Sequence, residues 1–328
     1  MDTLQKNKMP RIFDTSDGQQ LRINMIGSFL KKKFGKKIIK LSLDGGFTCP
    51  NRDGSKGLGG CLFCSSRGSG DRASRFEGGD ASAIRAALDS QIALLSDKWP
   101  DGEYIAYFQS NTSTYAPADE LRDKFRAALS HPSVKGLAIA TRTDCLPDDV
   151  LNLLEELNRE TFLWVELGLQ TTHETTAKAM NLCHTLSDYD RAIRELGSRN
   201  IPVVTHLILG LPGESREMMM ESVRYACRES ESGRIFGIKL HMLNLVKGSL
   251  MEKTMPDYVS FETMEDYIDT LIEALEIIPP EITVHRISGD APREILISPS
   301  WSYRKRTILN GIHKEMQKRN TWQGKALD

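Results

Sequence analysis

Along most of this chain, short runs rich in β-branched and aromatic residues alternate with longer stretches whose apolar positions recur every three or four residues. The runs at 38–43, 104–109, 137–141, 163–169, 203–209 and 237–243 predict strands, and 283–287 offers one more. Between them, 80–96, 117–130, 147–159, 173–180, 187–199, 214–230 and 263–278 carry the helical period. Asp or Pro opens several of these stretches and Gly or Asn often follows their ends, as helix capping requires. Strands separated by single helices pair in parallel through right-handed crossovers. Six such units form either an open doubly wound sheet or a curved, partly closed barrel.

Parallel α/β folds place their ligands outside the carboxyl ends of the strands. Polar residues gather at that edge here: FQSNTST after the second strand, ATRTDC after the third, ELGLQTT at the end of the fourth and HLILGLPGE at the end of the fifth. Directly after the first strand stands DGGFTCPNRDGSKGLGGCLFCSS, with Cys49, Cys61 and Cys64 spaced C-x11-C-x2-C. Three thiolates in one loop, with no fourth cysteine or histidine nearby, can hold three irons of a cubane and leave the fourth iron open. A full set of four would mark a structural or electron-transfer site instead. No G-x-G-x-x-G follows a strand and no G-x-x-x-x-G-K-[ST] occurs, so the dinucleotide-binding fold and the P-loop enzymes lose their main support. Cys145, Cys183 and Cys227 are far apart and read as buried or free thiols, although Cys145 follows the third strand and would face the mouth. Met218, Met219 and Met220 read as core filler.

Charge adds a possible partner. The formal net charge is only −1, yet residues 1–40 carry 10 Lys and Arg against 3 acids, and residues 286–328 carry 9 against 4. A basic head (KKKFGKK, 31–37) and tail (YRKR, 303–306) around an acidic middle fit either solvated helix faces or contact with a polyanion. Phe34, Trp301, Tyr303 and Trp322 lie among these charges, and such rings can stack on unpaired bases. No run of 18 apolar residues exists and the first residues lack the apolar core of a signal peptide, so a soluble, cytoplasmic protein without a membrane partner is expected.

The cysteine loop after the first strand, ending in Cys61-Leu-Phe63-Cys64, resembles that of the radical S-adenosylmethionine (radical SAM) superfamily over roughly residues 38–245. Its eleven-residue gap is similar to the branch that includes the catalytic subunit of Elongator. CPNRDG, GGCLFCS, ATRTDCLPDDV, VELGLQT, HLILGLPGE and the terminal TWQGK look most like the YhcC/YtqA-like bacterial proteins. The resemblance implies an α/β fold, a partial (β/α)6 TIM-like barrel over 38–245, with a basic N-terminal extension (1–37) and a helical, basic C-terminal extension (246–328) packed on it. It implies a [4Fe–4S] cluster on Cys49, Cys61 and Cys64, and SAM on the open iron. For SAM it points to Phe63, then to Gln109, Ser110, Asn111 and Thr112 after the second strand. It also points to Glu166 and Gln170 at the end of the fourth, and to Ile208, Gly210 and Glu214 by the fifth, where a glycine lets the adenine approach backbone. For Glu166 the plain alternative is a salt bridge to Arg142.

Relatives carry an Arg near AMNLCH where this chain reads Leu182, which leaves Lys178, Arg142 or His206 as the cation for the SAM carboxylate. The activity implied is reductive cleavage of SAM to a 5′-deoxyadenosyl radical, fed by an external one-electron donor of flavodoxin or ferredoxin type. The substrate implied is tRNA, at a wobble uridine whose carboxymethylaminomethyl group becomes aminomethyl. Two rivals stand beside this: a small-molecule enzyme like the coproporphyrinogen dehydrogenases, and a non-enzymatic zinc site completed by His173, His184, His206 or His241.

Overall fold

The seven apolar runs all become strands, and they pair in the order in which they occur in the chain. The computed structural model describes residues 12–14, 20–68, 70, 71, 73, 81–228, 235–289 and 291–327. The strands are β1 (Ile38–Leu43), β2 (Glu103–Phe108), β3 (Val134–Thr141), β4 (Phe162–Gln170), β5 (Val203–Leu209), β6 (Ile235–Met242) and β7 (Thr283–Arg286). Every neighbouring pair is parallel, so the sheet is a curled, seven-stranded half-barrel. The partly closed form is therefore the one adopted, with β7 added to the six strands expected.

Helices α2 (Ala81–Ser96), α3 (Ala118–Leu129), α4 (Asp148–Glu160), α5 (Glu174–Ala179), α6 (Leu186–Ser198) and α7 (Arg216–Cys227) fill the crossovers, and α9 (Met264–Glu276) precedes β7. Residue 80, expected to open α2, and residues 229–230, expected at the end of α7, lie outside the described residues, as do 1–11 and 15–19 of the basic head. Thr185 caps α6 in a reciprocal pair with Asp188, and Ser215 and Thr263 cap α7 and α9. The outward strand positions Leu41, Phe108, Ile139, Val165 and Leu207 pack against Leu88, Phe125, Leu154, Ile193 and Val223 of these helices in one large core. Phe125 is fully buried edge-on to Phe108, with centroids 4.9 Å apart.

The concave face has its own smaller core. Helix α1 (Ile26–Phe34), absent from the elements expected, packs Ile26 and Leu30 onto Ile38, Ile105, Ala138, Trp164 and Val204. Only two of its nine residues are buried and three consecutive lysines cross it, so its helical signal is weak until β1 and β7 give it a surface. It contacts both edge strands and bridges them at the amino end of the half-barrel. The chain's last described turn braces the same end. Gln323 binds Ile282 and Pro279 carbonyls and pairs with Asn24, and Trp322 is buried. Helix α8 (Leu250–Thr254) follows β6 and helix α10 (Lys305–Lys318) follows β7, and among the described residues no helix is long and apolar enough to cross a membrane.

Replacing Phe125 with Ala removes a ring the core cannot refill and is expected to lower the unfolding free energy by about 3–5 kcal/mol. The midpoint of a urea titration measures this.

Candidate active site

The carboxyl ends of the strands open onto one cavity of about 320 Å³. Cys49, Cys61 and Cys64 line it, together with Phe63, Gln109, Asn111, Arg142, Glu166, Gln170 and Ile208. The eleven residues between the first two cysteines do not keep them apart, because the loop folds back on itself. Cys49 O accepts from the N–H groups of Arg52 and Asp53, Gly60 N–H donates to Asn51 O, and Cys64 N–H donates to Cys61 O. Asn51 Nδ2 reaches Cys61 Sγ at 3.5 Å and also donates to Asn181 O. Gly57 allows the fold-back: a Cβ there would lie 2.2 Å from Asn51 Oδ1. Cys61 donates to Cys64, which lowers the Cys64 pKa and raises that of Cys61.

Not every expected residue lines the cavity. Ser110 is fully buried and does not line the cavity. Gly210 does not line it either. Its φ of +81° turns the chain, a Cβ would come 2.7 Å from Phe261, and its carbonyl accepts from Tyr258 Oη at 2.9 Å. Packing from residues about 50 positions later is one reason for a glycine at this position. Thr112 lines the cavity, whereas Glu214 turns to Thr171.

Glu166 is not paired with Arg142. Arg142 Nε and Nη2 bind Asp144, and Nη1 and Nη2 donate to the carbonyls of Leu182 and Cys183. That guanidinium is committed to holding the Leu182 turn. Glu166, 0% exposed, accepts from Lys239, from His206 Nε2 at 2.9 Å and from Trp164 Nε1 at 2.8 Å. Burial disfavours its charge, but Lys239 and Lys40 prevail and keep its pKa well below the usual carboxylate range. Lys178 is exposed and does not line the cavity. The cavity-lining cations that spacing did not reveal are Arg52, which grips Ser65 and Ser66 carbonyls behind the cysteines, and Arg286 from β7. Tyr107 and Lys239 also escaped notice, since each reads as an ordinary position within a strand, and His241 had been weighed only as a zinc ligand.

The two basic ends separate in space. Lys33 lies over Phe162 and Lys36 pairs with Glu103, both at the first residue of a strand and so at the end opposite the cysteines. Of the four rings among those charges, Phe34 packs on Phe162, Trp301 on Tyr267, and Trp322 is buried. Tyr303 alone is 43% exposed, with Arg293 at 4.8 Å and Arg304 at 5.8 Å from its ring. Its neighbour Ser302 accepts a 3.0 Å hydrogen bond from Asn244 of the cavity rim. Cys145 is buried beside Asp144, and burial pushes its thiol up to about 12.

The Radical SAM superfamily description matches residues 49–226 and the Radical_SAM C-terminal domain matches residues 235–318. The chain belongs to the radical SAM superfamily. Within it the chain falls in a YhcC/YtqA-like subfamily related to Elongator. It is 45% identical over 305 residues to YtqA of Bacillus subtilis, covering 93% of this chain and 92% of YtqA. It is 23% identical over 237 residues to a tRNA uridine(34) acetyltransferase of Methanocaldococcus jannaschii, covering 70% of this chain and 42% of that protein. The solved structure of archaeal Elp3 from Methanocaldococcus infernus, lacking its N-terminus, superposes with a TM-score of 0.60 at 16% identity, covering 87% of this chain and 64% of Elp3. That likeness is one of fold.

Membership in the radical SAM superfamily implies SAM and a [4Fe–4S] cluster, and the cavity fits both. A cubane takes its thiolates at separate corners, so they need not converge on one point as the ligands of a single zinc ion must. Among the described residues no three His, Cys, Asp or Glu side chains are arranged to hold one metal ion. Thr112 Oγ1, His184 Nδ1 and His241 Nε2 are buried without a hydrogen-bond partner, and all three residues line the cavity. Buried polar atoms of this kind suit a polar ligand.

Burial opposes the Asp144 charge, but Arg142 and then Lys56 outweigh it and hold the carboxyl at about 2, below its reference value of 3.8. A carboxylate depressed by folding stabilises the protein above its unfolded pKa and loses that contribution as pH falls through the folded value. Asp144→Asn is therefore expected to cost about 3–5 kcal/mol at pH 7 and to flatten the loss of stability between pH 4 and 2. Urea unfolding across that range decides it, and wild-type behaviour in the variant would count against the pair.

Proposed function

We propose that the chain is a radical SAM enzyme that remodels the side chain of a wobble uridine in tRNA, converting carboxymethylaminomethyl to aminomethyl. The observation that carries the catalytic half is the meeting of Cys49, Cys61 and Cys64 with unpaired, buried Thr112, His184 and His241 in one cavity. In this reading the three thiolates hold the cluster. Phe63, Gln109, Asn111, Gln170 and Ile208 surround SAM, with Arg142 and Glu166 ordering the walls behind them. Bound SAM supplies a radical that takes hydrogen from the substrate, after an electron arrives from a flavodoxin- or ferredoxin-type donor. The protein's part is to orient the reacting carbon and exclude water.

Two observations favour tRNA. A relative similar to 70% of this chain is named for uridine 34 of tRNA. Beside the cavity rim, exposed Tyr303 with Arg293 and Arg304 offers a ring and two guanidinium groups to an unpaired base and its phosphate. A wobble base already lies in a loop, so presenting it to the cavity costs little unstacking.

In a strain lacking the gene, mass spectrometry of tRNA nucleosides is expected to show the carboxymethylaminomethyl form accumulating and the aminomethyl form lost. An unchanged profile removes this substrate. Anaerobic reconstitution of the purified chain is expected to give about four irons and four sulfides and, on reduction with SAM, 5′-deoxyadenosine. Cys64→Ala should lose both, and a colourless protein with one zinc would overturn the catalytic reading.

A further inference from the structure

Asn51, in the first half of the cysteine loop, is fully buried. Its carboxamide nitrogen carries two protons, and both find acceptors: the Asn181 carbonyl and, at 3.5 Å, Cys61 Sγ. Its oxygen Oδ1 is buried without a hydrogen-bond partner. Reversing the amide would set that oxygen against the Asn181 carbonyl and lose both bonds, so Asn181 fixes the N–H that faces the sulfur. Buried polar atoms are normally paired. An amide buried with its acceptor unpaired contributes through its donors.

The other groups around the cysteines are engaged differently. Arg52 grips the Ser65 and Ser66 carbonyls and brings its charge beside Cys64. Arg142 faces Asp144 and the carbonyls of Leu182 and Cys183. The bond from Cys61 to Cys64 depends on a thiol proton. That proton leaves when the cysteines become metal ligands, because the ligand is the thiolate. The Asn51 proton belongs to an amide and stays.

We propose that Asn51 sets the reduction potential of the cluster, through an N–H···S hydrogen bond to the Cys61 thiolate that favours the reduced form. The inference rests on the reading above, in which Cys49, Cys61 and Cys64 hold a [4Fe–4S] cluster. Reduction adds one negative charge, so a donor to a ligand sulfur stabilises the reduced state more than the oxidised one and raises the potential. Burial acts in the opposite sense, since a dry surrounding disfavours added charge. The hydrogen bond offsets part of that penalty and eases delivery of the electron by a protein donor.

The test is a redox titration of the anaerobically reconstituted protein, followed by the electron paramagnetic resonance signal of the reduced cluster. Asn51→Leu removes the donor. The Asn51 carbonyl to Gly60, the Asn181 amide to Leu58 and Gly60, and Leu62 to Met180 still hold the loop. The variant is expected to keep about four irons per chain and to show about tenfold less reduced cluster at a fixed poise. That is a potential lower by about 59 mV for a one-electron couple, the scale of one hydrogen bond to a charged group. Gly57→Ala should shift the potential the same way, because its new Cβ would lie 2.2 Å from Asn51 Oδ1 and push the amide off Cys61. If Asn51→Leu takes up no cluster, Gly57→Ala is read by the same criterion. Full iron content with an unchanged potential overturns the proposal, and so does loss of the cluster in both variants, since Asn51 then only shapes the loop. A wild type that takes up no cluster brings down the catalytic reading itself.

Discussion

The two edge strands of the sheet never meet, and most of the molecule's remaining structure answers that gap. A closed barrel of eight strands fills its interior with its own side chains. Seven strands in sequence order leave β1 and β7 apart, with inward-facing polar residues and unpaired edges between them. Helix α1 covers the lower part of the opening, and Met25 bridges to Val284 while Asn24 accepts from it. Gln323 then ties the end of the chain to the same corner. What these segments leave open, at the carboxyl ends, is the cavity.

That arrangement also divides the concave face by chemistry. Its lower rows, Ile38, Ile105, Ala138 and Trp164, are apolar and covered by α1, so they behave as core. One row higher, Trp164 passes its indole N–H to Glu166, and the polar cluster begins. Glu166 accepts from Lys239 and lies 3.9 Å from Lys40, so without it both lysines would lose the carboxylate they approach. Burial and the adjacent cations lower the pKa of Lys239 well below an ordinary lysine, despite the opposing pull of Glu166. The carboxylate is therefore the element that lets two lysines stand inside the half-barrel.

The parts of this picture that rest on local sequence were legible in advance. Strand and helix order followed from periodicity, and the cysteines were placed at the mouth because they directly follow an apolar run. Long-range pairings were not. Glu166 and Lys239 are 73 positions apart, and a lysine inside IFGIKLHM looks like any interruption of a strand. Arg286 counted toward a basic tail by its position, but β7 carries it into the barrel. Gly210 matched a ligand-binding pattern, and the close approach of Phe261 and Ser260 to it was not readable from spacing. Among the four rings near the basic ends, burial rather than composition left Tyr303 outside.

The long spacer in the cysteine loop raises a stricter question, since loosely tethered thiolates would make a poor ligand set. Loop closure itself grows slowly with length, so eleven residues cost little more than three. Precision has to come from hydrogen bonds that fix the loop. Asn51 supplies several of them at once, through its carbonyl to Gly60 and its amide to Cys61 and Asn181. Asn181, in the left-handed region at φ 54°, returns its own amide to the Leu58 and Gly60 carbonyls. Leu62 N–H then donates to Met180 O, so the second half of the loop is pinned to the turn after α5, the same turn whose Leu182 and Cys183 carbonyls Arg142 holds. The spacing in sequence therefore does not set the distance between the cysteines. Two asparagines and one arginine, contributed by three separate segments, do.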